Sequence, residues 1–159
     1  MKRTNRRTIA VRLAAVAAVA AMAIGVQGTV AAGETLVTQG EFAAFATSTD
    51  PAFTGHATMV RTADGKTIVS VSVRGLAADT AYGSHVHAFP CSENFAGGHY
   101  KHDLTGPASP PNEIWPAFTT NASGVGNGKA TAPWVARPDA RSVVIHAPGG
   151  AKIACADLG

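Results

Sequence analysis

The chain has 159 residues, 46% of them hydrophobic and 14% charged, with a formal net charge of +3. The positive balance comes from the first 32 residues: five of the 13 basic residues (Lys2, Arg3, Arg6, Arg7, Arg12) and none of the 10 acidic ones lie there, leaving eight basic against ten acidic. The remainder is therefore slightly acidic and has no basic patch, which excludes nucleic-acid binding as its organising feature.

In chain order, the basic opening Met1 to Arg7 precedes an Ala/Val-rich stretch from Ile9 to Val26, and Val30-Ala31-Ala32 then offers small residues to a signal peptidase. We read residues 1–32 as a signal peptide and 33–159 as one domain, exported to the cell envelope or secreted. The competing reading is a membrane anchor, but the apolar stretch is interrupted by Arg12 and rich in Ala. No stable membrane insertion is expected after cleavage. Arg6-Arg7-Thr8-Ile9 faintly resembles a twin-arginine export signal and lacks the rest of that pattern.

From Leu36 onward, short runs of β-type residues alternate with turn signals, and no segment carries an apolar stripe of period 3.6. Ala57 to Arg61 and Thr67 to Val73 flank Asp64-Gly65, a strong hairpin signal. Tyr82 to Phe89 reads as a strand carrying His85 and His87. Pro90 to Pro116 has few β-branched residues and several Gly and Pro, and reads as a long structured loop carrying His99, His102, Asp103 and Glu113. Phe118 to Asn121, Lys129 to Trp134 and Ser142 to His146 are further strands. Asn121-Ala122-Ser123 matches a glycosylation triplet but reads as a turn. This pattern predicts an all-β domain, a Greek-key barrel or sandwich of short antiparallel strands.

His85 and His87 are two apart in an extended segment, so they project from one face and can hold one ion together. His99 after a glycine pair and His146 at the end of a β-branched run complete a four-nitrogen set from three segments. Imidazole suits several transition metals, and a tetragonal four-nitrogen array favours Cu(II). Any one of these histidines alone would read as a surface or core residue. His56 has no partner spacing and reads as structural, and His102 as an auxiliary ligand at most. Cys91 and Cys155 are the two cysteines of the chain. In an exported protein they read most simply as a disulfide. The alternative, two metal thiolates, lacks a Cys-x-x-Cys spacing.

These residues carry a resemblance. His85-Val86-His87, Cys91, Gly98-His99-Tyr100, Val144-Ile145-His146 and Gly150 to Cys155 resemble the copper/zinc superoxide dismutase family over roughly residues 55–158. The resemblance implies a Greek-key β-barrel with the disulfide tying a loop to the last strand. It implies His85, His87 and His146 as permanent copper ligands and His99 as the one bridging copper and zinc. The implied reaction is conversion of superoxide to O2 and hydrogen peroxide, copper carrying the electron and His99 the proton.

The departures matter as much. Two further histidines and an aspartate of the family's zinc half are missing, Asn112 to Pro116 standing where its zinc segment would be. The connection from His146 to Cys155 is cut to Ala147 through Ala154. Both features resemble the secreted, bacterial-type, copper-only branch, with zinc not expected. Without zinc, the far nitrogen of His99 needs another partner, for which Glu113 and Asp103 are the candidates, against the reading of both as solvated loop acids. The family's active-site arginine is Lys152 here, which keeps a positive charge for superoxide but loses the planar fork. The alternative function is a non-catalytic extracellular domain that binds or buffers copper. No feature of the sequence specifies an oligomeric state.

Overall fold

The computed structural model of the chain describes residues 33–49 and 52–159. The signal-peptide reading falls on residues 1–32, outside the described residues. Among the described residues no helix is long and apolar enough to cross a membrane.

Among the described residues, nine strands form two antiparallel sheets: β1 (Leu36–Glu41), β2 (Ala43–Ala44), β3 (Thr54–Arg61), β4 (Thr67–Arg74), β5 (Ala81–His87), β6 (Phe118–Thr119), β7 (Val125–Ala132), β8 (Ser142–His146) and β9 (Lys152–Asp157). The first sheet has the order β1-β3-β4-β7 and the second β2-β9-β8-β5-β6. After the β3–β4 hairpin the chain crosses to the second sheet for β5 and β6. It returns to place β7 beside β4, then crosses again to insert β8 between β5 and β9. This is the predicted all-β class.

The hairpin forms where the sequence places it. Gly65 takes φ of 87°, a conformation open to glycine, and the register pairs Arg61 with Thr67. In β4, Thr67, Val69, Val71 and Val73 point inward and Ile68, Ser70 and Ser72 outward. Val69, Val71 and Val73 meet Met59 of β3 and the inward residues Tyr82 and Val86 of β5 and Val143 and Ile145 of β8 in one continuous core. Ile145 is fully buried. Truncating such a residue to Ala removes about 2–5 kcal/mol of stability.

One boundary differs from the sequence reading for a definite reason. The sequence reading begins this strand at Lys129, yet it starts at Val125, with Gly126 and Gly128 inside β7. A Cβ on Gly126 would stand 2.3 Å from the Phe118 ring, and one on Gly128 would stand 2.1 Å from the Pro116 carbonyl oxygen. The chain from Pro116 to Phe118 runs directly over this strand, so the glycines permit close approach instead of making a turn.

Candidate metal centre

β5 alternates Tyr82, Ser84 and Val86 toward the core with Gly83, His85 and His87 toward the outer face. On β8, Gly83 pairs with His146 and His85 with Val144, so His146 joins the two β5 imidazoles on that face. The long loop supplies the fourth. Beyond β6, the free edge of β5 is taken by this loop through Ala88 N–H to the Gly98 carbonyl, Tyr100 N–H to the Val86 carbonyl and Val86 N–H to the Ile114 carbonyl. The resulting bridge sets His99 opposite His87. One ring nitrogen from each of His85, His87, His99 and His146 lies within 4.8 Å of the others.

Their partners decide which nitrogen is free. His87 Nδ1–H donates to the Ala96 and Gly97 carbonyls at 3.3 and 3.2 Å. His146 Nδ1–H donates to the Gly150 carbonyl at 3.0 Å, in a turn where Gly149 and Gly150 take φ of 92° and 93°. His99 Nδ1–H donates to Glu113 Oε2 at 2.7 Å. In each of these three the Nε2 lone pair is left facing the centre. His85 differs, since its Nδ1 is buried with no hydrogen-bond partner. The Nε2 atoms of His87 and His146 stand 3.4 Å apart. With both Nδ1 atoms protonated, these are two acceptors aimed at each other, an arrangement a cation between them relieves.

Burial and neighbouring charge keep His85, His87 and His146 neutral. Burial, reinforced by the neighbouring histidines, pushes His85 down to about 3. His87 also falls to about 3, from burial first and then from His99, Lys152 and His146. His146 is lowered by burial, against its bond to Gly150. Neutral imidazole is the form that ligates metal. His85, His99, His146, Gly83, Gly149 and Gly150 line an open cavity of about 440 Å³.

Beside His87 the chain makes a left-handed turn: Asn94, Phe95 and Ala96 have φ of 47°, 51° and 64°, and Gly97 follows at 61°. Left-handed geometry in non-glycine residues costs about 1–2 kcal/mol each. Here it aims carbonyls inward. Phe95 and Gly97 accept from Lys152 Nζ at 2.7 and 2.6 Å, while Ala96 and Gly97 accept from His87. The Cys91–Cys155 disulfide joins this loop to β9, over a small cluster of Ala96, Val144 and Cys155 flanked by Phe45.

The remaining candidates separate. Glu113 is 3% exposed and sits on His99. The Asp103 carboxylate instead accepts from the backbone and hydroxyl of Thr105, while its backbone is held by Asn112. His102 stacks on Trp134 with centroids 4.1 Å apart, and His56 is exposed on β3. The sequence reading passed over Trp115, whose Nε1–H donates to Glu113 Oε2 at 2.8 Å. The available signal was its spacing two residues from Glu113 in an extended segment.

No family model matches the chain, and no curated protein matches it. Among solved structures it is similar to two variants of superoxide dismutase 5 from Candida albicans, with one glutamate replaced by glutamine or by alanine. The first is 19% identical with a TM-score of 0.49 and covers 76% of this chain and 90% of its own. The second is 18% identical with a TM-score of 0.47 and covers 76% and 88%.

Proposed function

We propose that residues 33–159 form a copper-dependent superoxide dismutase of the copper/zinc superoxide dismutase family, exported by way of residues 1–32 and working without zinc. The observation that carries this reading is the donor set. Three imidazoles are turned by a carbonyl or carboxylate so that Nε2 is free, a fourth buries an unpartnered Nδ1, and all four nitrogens converge. These four nitrogens would hold the ion, and four imidazoles suit copper. Copper, when bound, supplies one-electron exchange with superoxide.

The chain's own groups supply the rest. Glu113 anchors His99 through Nδ1–H, so His99 Nε2 can take up and return a proton without the ring losing its place. The same contact occupies the nitrogen a second metal would need, which supports a centre without zinc. The cavity bounded by Gly83, Gly149 and Gly150 admits a small anion to the His85, His99 and His146 side. Lys152 contributes a positive charge close enough to disfavour protonation of His87 and His146, which supports its role in drawing in superoxide.

A second reading, an extracellular domain that holds copper without turnover, is favoured by one observation. Lys152 Nζ is tied to two carbonyls and is not among the residues lining the cavity. Copper loading of the exported protein with metal counting and a superoxide-loss assay separates the two. One copper per chain with turnover well above a denatured, copper-matched control supports the enzyme. One copper without turnover leaves the copper-holding domain, and one tightly held zinc per chain overturns the zinc-free centre.

A further inference from the structure

Asn112 to Pro116 does more than fill the gap beside His99. Glu113 is 3% exposed, Ile114 2% and Trp115 37%. Ile114 enters the main core, which by alternation puts Glu113 and Trp115 on the side of the imidazoles. Trp115 Nε1–H donates to Glu113 Oε2 at 2.8 Å, and the same oxygen accepts His99 Nδ1–H at 2.7 Å. The Trp115 ring also packs on His85, centroids 5.2 Å apart and planes at 65°. One indole therefore touches His85 directly and reaches His99 through one carboxylate.

We infer that Trp115 is a positioning residue for this centre, acting through Glu113 on His99 and by ring contact on His85. The inference rests on the copper reading above. A carboxylate's terminal torsion is broad and roughly two-fold, so a single imidazole N–H does little to fix it. A second donor on the same oxygen selects one orientation and points that oxygen at His99. Edge packing against His85 restrains the one imidazole of the four whose Nδ1 has no hydrogen-bond partner to hold it. The indole N–H and the indole surface thus make separable contributions.

The test uses the exported protein loaded with Cu(II), read by the Cu(II) electron paramagnetic resonance spectrum and by the rate of copper release to a chelator. Trp115→Phe keeps an aromatic ring and removes the N–H. It should alter the hyperfine splitting and speed release by about 3- to 10-fold, below the 10- to 100-fold typical of losing a ligand's direct partner. Trp115→Ala should exceed it, because the His85 contact goes too. In a Glu113→Ala background, Trp115→Phe should add less than about 2-fold, the sign of residues acting through one another. A wild-type spectrum and release rate in Trp115→Phe overturns the inference alone, as do effects of the Trp115 and Glu113 changes that simply multiply. A wild-type chain that takes up no Cu(II) overturns this inference and the reading beneath it together.

Discussion

The outer faces of the two sheets began from the same two-residue alternation and ended differently. On the first sheet β4 keeps its outward residues Ile68, Ser70 and Ser72 half-buried, and the histidine on that sheet, His56 of β3, is exposed. On the second, every residue of β8 from Ser142 to His146 is buried, because the loop after β5 folds back over the outward side. Strand periodicity gives a histidine its face, and a returning loop turns that face into an interior. Desolvation then follows, and with it imidazoles held neutral. Carbonyls and a carboxylate of the same loop choose which nitrogen His87 and His99 present, and the Gly150 carbonyl does so for His146.

Removing an imidazole from the covered face should break this contrast most strongly. His87→Ala should weaken copper binding by at least about 100-fold, since it deletes a ligand and more than an outer partner, whereas His56→Ala should change it less than about 2-fold. Titration calorimetry of both variants measures the difference, and equal effects would dissolve the distinction between the faces. Next in size, Glu113→Gln should weaken copper retention by about 10- to 100-fold. Asp103→Asn, on the same loop but turned toward Thr105, should leave copper retention as it is.

Lys152→Glu sharpens the contrast through charge. Turnover should fall by about 10-fold at low ionic strength, and the difference should narrow as salt rises past about 0.1 M, where screening acts over about 10 Å. Lys152→Arg should hold the wild-type rate. A rate indifferent to all three conditions favours the copper-holding domain. The smallest effect is in the metal-free protein. His85 and His87 are lowered in the fold to about 3 from an ordinary 6.5, so acid protonates the unfolded chain first. Their contribution to stability should be fully present above about pH 6.5 and be lost as pH falls toward about 3. Thermal melts between those limits should show the decline, and His85→Gln should flatten it.

Much of this was legible in local pattern. The Asp64-Gly65 hairpin and the inward set of β4 follow from turn chemistry and alternation, which are local. The glycines of β7 were not legible, because the need for them comes from Pro116 and Phe118 crossing overhead. Nor was the left-handed run Asn94 to Ala96, since only Asn94 is of a type that favours positive φ and Phe95 and Ala96 are not. The carbonyls of the run are met by His87, just before it, and by Lys152, far along the chain. For the centre, the His85/His87 spacing implies a shared face, but the approach of His99 depends on a loop acting as an edge strand beside β5. For Trp115 the spacing from Glu113 could suggest a shared side, but its contact with His85 is set by tertiary placement.

The bond between Cys91 and Cys155 closes a covalent ring in the chain. His99, Glu113, Trp115, His146 and Lys152 all lie within that ring, and His85 and His87 stand just before its entrance. A single peptide cut anywhere from residue 92 to residue 154 therefore opens the ring without dividing the molecule. Every group around the centre stays on one covalent body, and the two pieces part only when a reductant is added. A chain nicked within that ring would still migrate as a single species under non-reducing, denaturing conditions.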